Sequence, residues 1–257
     1  MISKGLKLVA CLCLVSAIGL LSNCTPSPGK IRFKVDKPEY PTDHPLTSTE
    51  RKKITDDFLK SRKVPVLASL PEVEDHTNTR FRSDIDVARR CVILYGLIYV
   101  AHGAKTAEYM VDYFKKNHLW GSVSPDEQKY LLGKRTEKQD NEMTWRIENL
   151  NVLLWSLGNF KILPLPNVRC SFTHYENLPD LDGNPLNWIQ DAKLRNTEDI
   201  LNEADLIYRI HWATTEARLN KTPMPYHMDN DVVYERHYAL NWLTMYADEW
   251  DEITTDT

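Results

Sequence analysis

Apolar positions along the chain recur three and four residues apart, in runs separated by capping residues, prolines and glycines. Ser48-Thr49-Glu50-Arg51 opens one such run, with Ile54, Phe58 and Leu59 on a shared face, and it ends near Val64-Pro65. Ser83 stands as an N-cap before Asp84 and Asp86, whose charges suit a first helical turn. The stretch Cys91–Ala101 (CVILYGLIYVA) carries no charge on any side, which predicts a central, buried helix stopped at Gly103. Residues 105–118 are amphipathic, with Met110, Val111 and Phe114 inward. Ser124-Pro125-Asp126-Glu127 is a capping box with proline at the first helical position. A helix over 142–157 follows, closed by Gly158. Residues 159–196 contain Pro164, Pro166, Pro179 and Pro185 and read as a long irregular crossover. Thr197 caps a helix running to Leu219. Asp229 or Asn230 caps the last, to Tyr246, before an acidic tail. No two runs alternate with period two. The pattern predicts an all-α fold, a single helical bundle of about six to eight helices over residues 48–257.

The first residues break this pattern. Lys4 and Lys7 precede Leu8–Leu21, an uncharged run of fourteen residues. As a helix it would reach about 21 Å, short of the roughly 30 Å hydrocarbon core, so it fits a cleavable signal better than a membrane span. Leu21-Ser22-Asn23-Cys24 resembles a lipobox, the site cut ahead of a diacylated cysteine in bacterial lipoproteins, with Asn23 departing from the usual small residue. The resemblance implies a signal peptide over 1–23, lipidation of Cys24, and a chain held at the membrane of the bacterial envelope, facing an extracytoplasmic compartment. An ordinary secretory signal with an incidental cysteine is the alternative. Residues 24–47, with five prolines between Thr25 and Thr47, read as an extended tether.

Composition adds limits. Removing residues 1–23, which hold two lysines and no acids, leaves 30 basic and 36 acidic side chains, a net charge of −6. Such a domain lacks the basic surface that grips nucleic acid. Beyond the signal and Cys24 stand Cys91 and Cys170, and two cysteines make no disulfide framework. Cys91, within the apolar helix, is expected to be a buried, inert thiol. Of the tryptophans, Trp145, Trp155, Trp212 and Trp242 fall on predicted helices, whereas Trp120 and Trp188 fall in connections, where exposure would suit an interaction surface.

Three stretches carry a family likeness: Arg82–Arg90 (RSDIDVARR); Trp145-Arg146-Ile147-Glu148 with Leu153–Gly158 (LLWSLG); and Ile200–Trp212, resumed at Val232–Trp242 and Trp250-Asp251. Together they resemble the proteins grouped as domain of unknown function 4272, over roughly residues 50–257. The resemblance brings no activity, cofactor or catalytic residue.

The remaining chemistry lies in polar residues on apolar faces. On the helix from Thr197, Asn202, Asp205, Arg209 and Glu216 share one side, which reads as a solvated outer face. Glu203 and His211 fall instead among Ile200, Ala204, Ile207 and Ile210. They are about 12 Å apart along the axis, so each needs a partner elsewhere. The last helix is apolar nearly all round yet contains Glu235, Arg236, His237 and Asn241. Arg146 sits between Leu153 and Leu157 in angle, with Glu142 one turn before it. Charges so placed must be paired or line a wet cavity.

Two readings follow. In one, Arg146, Glu203, His211, Glu235, Arg236, His237 and Asn241 form a buried polar network: arginines paired with Glu203 or Glu235, histidines donating to carbonyls. In the other, Glu203, His211, Glu235, Arg236 and His237 surround one pocket as the general base and anion holder of a hydrolase or lyase. No metal-ligand spacing, nucleophile elbow, P-loop or dinucleotide fingerprint is present, so no metal or cofactor is expected. The functional expectation is a lipid-anchored, non-catalytic module that binds a protein or small molecule; an enzyme and a structural envelope component are the alternatives.

Overall fold

In a computed structural model, residues 36–171 and 178–257 are described. The expected signal, Cys24 and the first part of the expected tether lie outside the described residues. Residues 35–257 make up one unit, all-α among the described residues. Its helices are α1 (Ser48–Ser61), α2 (Asp84–Ala101), α3 (Ala107–Lys116), α4 (Pro125–Leu132), α5 (Glu137–Trp145), α6 (Ile147–Ser156), the five-residue α7 (Leu186–Gln190), α8 (Thr197–Leu219) and α9 (Asn230–Leu243).

The starts are set by side chains that satisfy free backbone N–H groups. Ser83 accepts from the Asp86 N–H, and Ser124 and Thr136 form capping boxes with Glu127 and Gln139. Asp229 caps α9 through the N–H groups of Asp231 and Val232. Two stops use glycine in the left-handed region, Gly103 at φ +69° and Gly158 at φ +76°.

Helix α2 is the centre. Eleven of its residues from Val87 to Val100 are buried, and it packs against α3, α5, α6 and α7. All ten residues of α6 are buried too. Helix α9 lies between α6 and α8, so it is wrapped on two sides, which is why so few of its positions face water. Among the described residues no helix is long and apolar enough to cross a membrane.

The structure revises several expectations. Residues 36–47 are no free tether: Leu46 is 3% exposed, and Tyr40 bonds the Thr55 hydroxyl at 3.0 Å and donates to the Asn202 carbonyl at 3.3 Å. The helix expected over 142–157 is two helices, because the Thr136 box starts α5 earlier and the chain bends at Arg146 (φ −59°, ψ −7°). The crossover contains α7, whose Trp188 packs against the core.

The face of α8 expected in solvent is buried at Asn202, Asp205 and Arg209, with Asp205 fully enclosed and Arg209 2% exposed, and only Glu216 of that set reaches water. It is covered by α1, which turns Arg51, Thr55 and Asp56 inward against it. The acidic tail also folds back. Trp250 and Ile253 are buried, and Asp251 accepts from the Ser124 hydroxyl (2.6 Å) and the Asp126 N–H (2.9 Å) at the start of α4.

Candidate functional site

The polar residues on apolar faces resolve into separate pairs, each joining different parts of the chain. Arg236, 1% exposed, donates from Nε to Glu148 Oε2 at 2.9 Å and from a terminal nitrogen to the Pro164 carbonyl at 2.6 Å. Glu148 is fully buried, and its other oxygen accepts the Cys170 N–H. One ion pair thus fastens α9, α6 and the crossover. Glu148 is absent from the candidate residues of the sequence, although a lone acid on an otherwise uncharged α6 is itself a sequence signal.

Arg146 reaches Glu235 Oε2 and Asn149 Oδ1, both at 3.1 Å, and lies over the Tyr238 ring at 4.6 Å. Glu142, one turn before it, pairs instead with Lys138. Burial works against the Arg146 charge, but Glu235, with Tyr238 and acids beyond, holds its pKa above the ordinary value. Burial raises the Glu235 carboxyl despite Arg146. The Glu235 side chain keeps 11% of its surface and that of Arg146 25%. Arg146 and Tyr238 border a cavity of about 390 Å³ between α4, α5, α9 and the C-terminal turn.

Glu203 is met by Lys37, whose ammonium donates to both carboxylate oxygens at 2.7 Å. Its partner is therefore on the N-terminal segment, where no helical period could have shown it. Burial lowers the Lys37 pKa and Glu203 opposes that fall.

His211 and His237 pair with each other, Nδ1 to Nδ1 at 2.8 Å, where carbonyl partners were expected. One ring must donate and the other accept, so the accepting ring is neutral. Burial pushes the His211 pKa down to about 4 and that of His237 down to about 3, with Arg218 acting on the first and His211 on the second. Tyr208 and Tyr234 flank the two rings, at 5.6 Å from His237 and 6.0 Å from His211. His237 borders a cleft of about 540 Å³ between the N-terminal half of α8, the C-terminal half of α9 and the Pro71–Arg80 loop. Asn241 and Thr244 continue its wall one and two turns on.

Two further clusters lie outside the expected network, one of them built on the i,i+4 pair Asp205–Arg209 of α8. Arg209 holds Asp205 bidentately (2.7 and 3.1 Å) with Asp56 Oδ1 at 3.7 Å, while Arg51 bonds Asn202 and Glu198. Arg90 grips both oxygens of the buried Glu127 and lies 4.6 Å over Trp250. Cys91 is buried and its thiol pKa is raised by burial. Among the described residues no group of three or more His, Cys, Asp or Glu side chains is placed to hold a metal ion.

Glu203, His211, Glu235, Arg236 and His237 therefore do not surround one pocket. Glu203 borders a shallow hollow beside Lys37, and His237 borders the 540 Å³ cleft on another side. No curated protein and no solved structure matches the chain. The family described as Domain of unknown function (DUF4272) matches residues 51–253, from within α1 to beyond α9. The chain belongs to that family.

Proposed function

We propose that the chain is a lipid-anchored binding module, held at a membrane through Cys24, that takes a small ligand in the cleft beside His237 and performs no chemistry on it. The observation that carries the reading is the division of labour on α9. Arg236 and Glu235 are spent on Glu148 and Arg146, while His237 presents one ring edge to a cleft of about 540 Å³. That volume lies in the usual range for small-molecule sites. A neutral histidine with a strongly depressed pKa is a weak base at pH 7, which favours binding over proton abstraction. The hydrolase or lyase reading needs its acid, base and anion holder around one substrate, and here they face different partners.

Labelling cells with a fatty-acid analogue tests the anchor. The wild-type chain takes the label and sediments with membranes, whereas Cys24→Ala is unlabelled and soluble; an unlabelled, soluble wild-type chain contradicts it. For the cleft, ester, amide and phosphoester substrates should not turn over. Turnover by the wild type that is lost in His237→Gln contradicts the non-catalytic reading.

A further inference from the structure

Four polar side chains around the His237 cleft each spend a donor on the protein itself. Asn241 gives its Nδ2 to the Thr254 carbonyl at 2.7 Å, and the Thr244 hydroxyl donates to the Leu240 carbonyl at 3.0 Å. On the facing loop, the Thr79 hydroxyl donates to the Asp75 carbonyl at 2.9 Å and Asn78 Nδ2 to the Asp75 carboxylate at 3.2 Å. What the two threonines leave is oxygen lone pairs, and each asparagine keeps its side-chain oxygen with one amide N–H.

The rim adds negative charge. Glu72, Glu74 and Asp256 all border the cleft. Glu72 accepts from the Thr49 hydroxyl at 3.1 Å and Asp256 from that of Thr254 at 3.0 Å, neutral donors that leave the charges uncompensated. Arg80, on the same wall, leans at 3.7 Å on Asp248, which is not part of the lining.

His237 completes the set from below. It is 3% exposed with Nδ1 committed to His211, so Nε2 is the nitrogen left for the cleft. When His237 donates its Nδ1–H to His211, that Nε2 is a bare acceptor and His211 carries its own proton on Nε2. The pair stays neutral at pH 7 because burial disfavours the imidazolium, so no positive charge competes at the floor. Tyr208, 5.6 Å from the His237 ring, and Tyr246 offer aromatic faces in the same space.

We propose that this cleft takes a small organic cation, a molecule bearing a protonated amine or guanidine that donates to His237 Nε2 and the Asn241 carbonyl oxygen under the Glu72, Glu74 and Asp256 carboxylates. The inference rests on the reading of the cleft as a binding site and adds the charge and polarity of what it binds. A carboxylate or phosphate ligand would meet acceptors and like charge at once. A neutral polyol would leave the carboxylates without a counter-charge.

The test titrates the chain, freed of its signal, with agmatine and tyramine as cations, benzoate as anion and glucose as neutral probe, at pH 7.5 and low salt. Calorimetry gives affinity, and the histidine ring NMR signals give location. Both amines should bind, shift the His237 signals and weaken as salt is raised. The Glu72→Gln/Glu74→Gln variant, altered at exposed side chains, should bind them about tenfold more weakly. Amines that leave the His237 signals unmoved, or bind that variant equally well, overturn the proposal. Benzoate or glucose shifting His237 where the amines do not overturns the cationic ligand and leaves the cleft as a site. If no probe moves those signals, the proposal and the cleft reading fall together.

Discussion

At the scale of single residues, the chain tolerates charge inside a helical bundle because each charge is met. The His211–His237 pair is the exception, kept neutral by burial, and it makes stability depend on pH. Both histidines have folded pKa values, about 4 and about 3, below the ordinary 6.5. Between those values and 6.5 the unfolded chain binds more protons than the folded one, so stability is lost as pH falls through that window. Glu235 and Asp56, whose pKa values burial raises, act in the opposite sense at the acid end. Urea unfolding at pH 7, 6 and 5 should therefore show falling stability, and the His211→Gln/His237→Asn variant a flatter profile. A wild-type profile flat from pH 7 to 5 contradicts the pairing.

Among whole elements, α2 shows how packing sets a residue. A Cβ on Gly96 would stand 2.7 Å from Phe114 Cζ and closer still to the Met110 methyl group, so glycine lets α3 approach. Gly96→Ala gains helix propensity of about 1 kcal/mol but overpacks the contact at a cost of about 1–3 kcal/mol. The net expectation is a lower melting temperature, and an unchanged or higher one counts against a tight α2–α3 contact. Helices such as α2, α4 and α9 were legible because their caps, Ser83, Ser124 and Asp229, are local chemistry. The bend at Arg146 was not, since no glycine or proline marks it and the residue's partner, Glu235, is far away in sequence. The buried face of α8 was misread for a related reason. Periodicity reports where polar residues lie, and a polar face covered by α1's own Arg51 and Asp56 looks the same as one covered by water. In the candidate site, the unusual positions on α9 could be seen, but not which would be spent on partners.

For the molecule as a whole, the N-terminal segment is part of the fold. Lys37 supplies both hydrogen bonds to the buried Glu203, and Asp36 is held by Arg62 at 3.0 Å. Lys37→Met strands a buried carboxylate and should lower stability by about 3 kcal/mol, with Glu203→Gln added to it restoring part of the loss. A variant as stable as wild type would show the segment to be dispensable. The same logic applies most strongly to Arg236 and Glu148, both essentially without solvent contact, which join α9 to α6 and the crossover.

A double-mutant cycle on that pair, read by equilibrium urea unfolding, tests the claim that the charges inside this bundle serve its packing. Arg236→Met and Glu148→Met should each cost about 3–5 kcal/mol, and Arg236→Met/Glu148→Met clearly less than their sum. Single variants as stable as wild type, or costs that simply add, would contradict it.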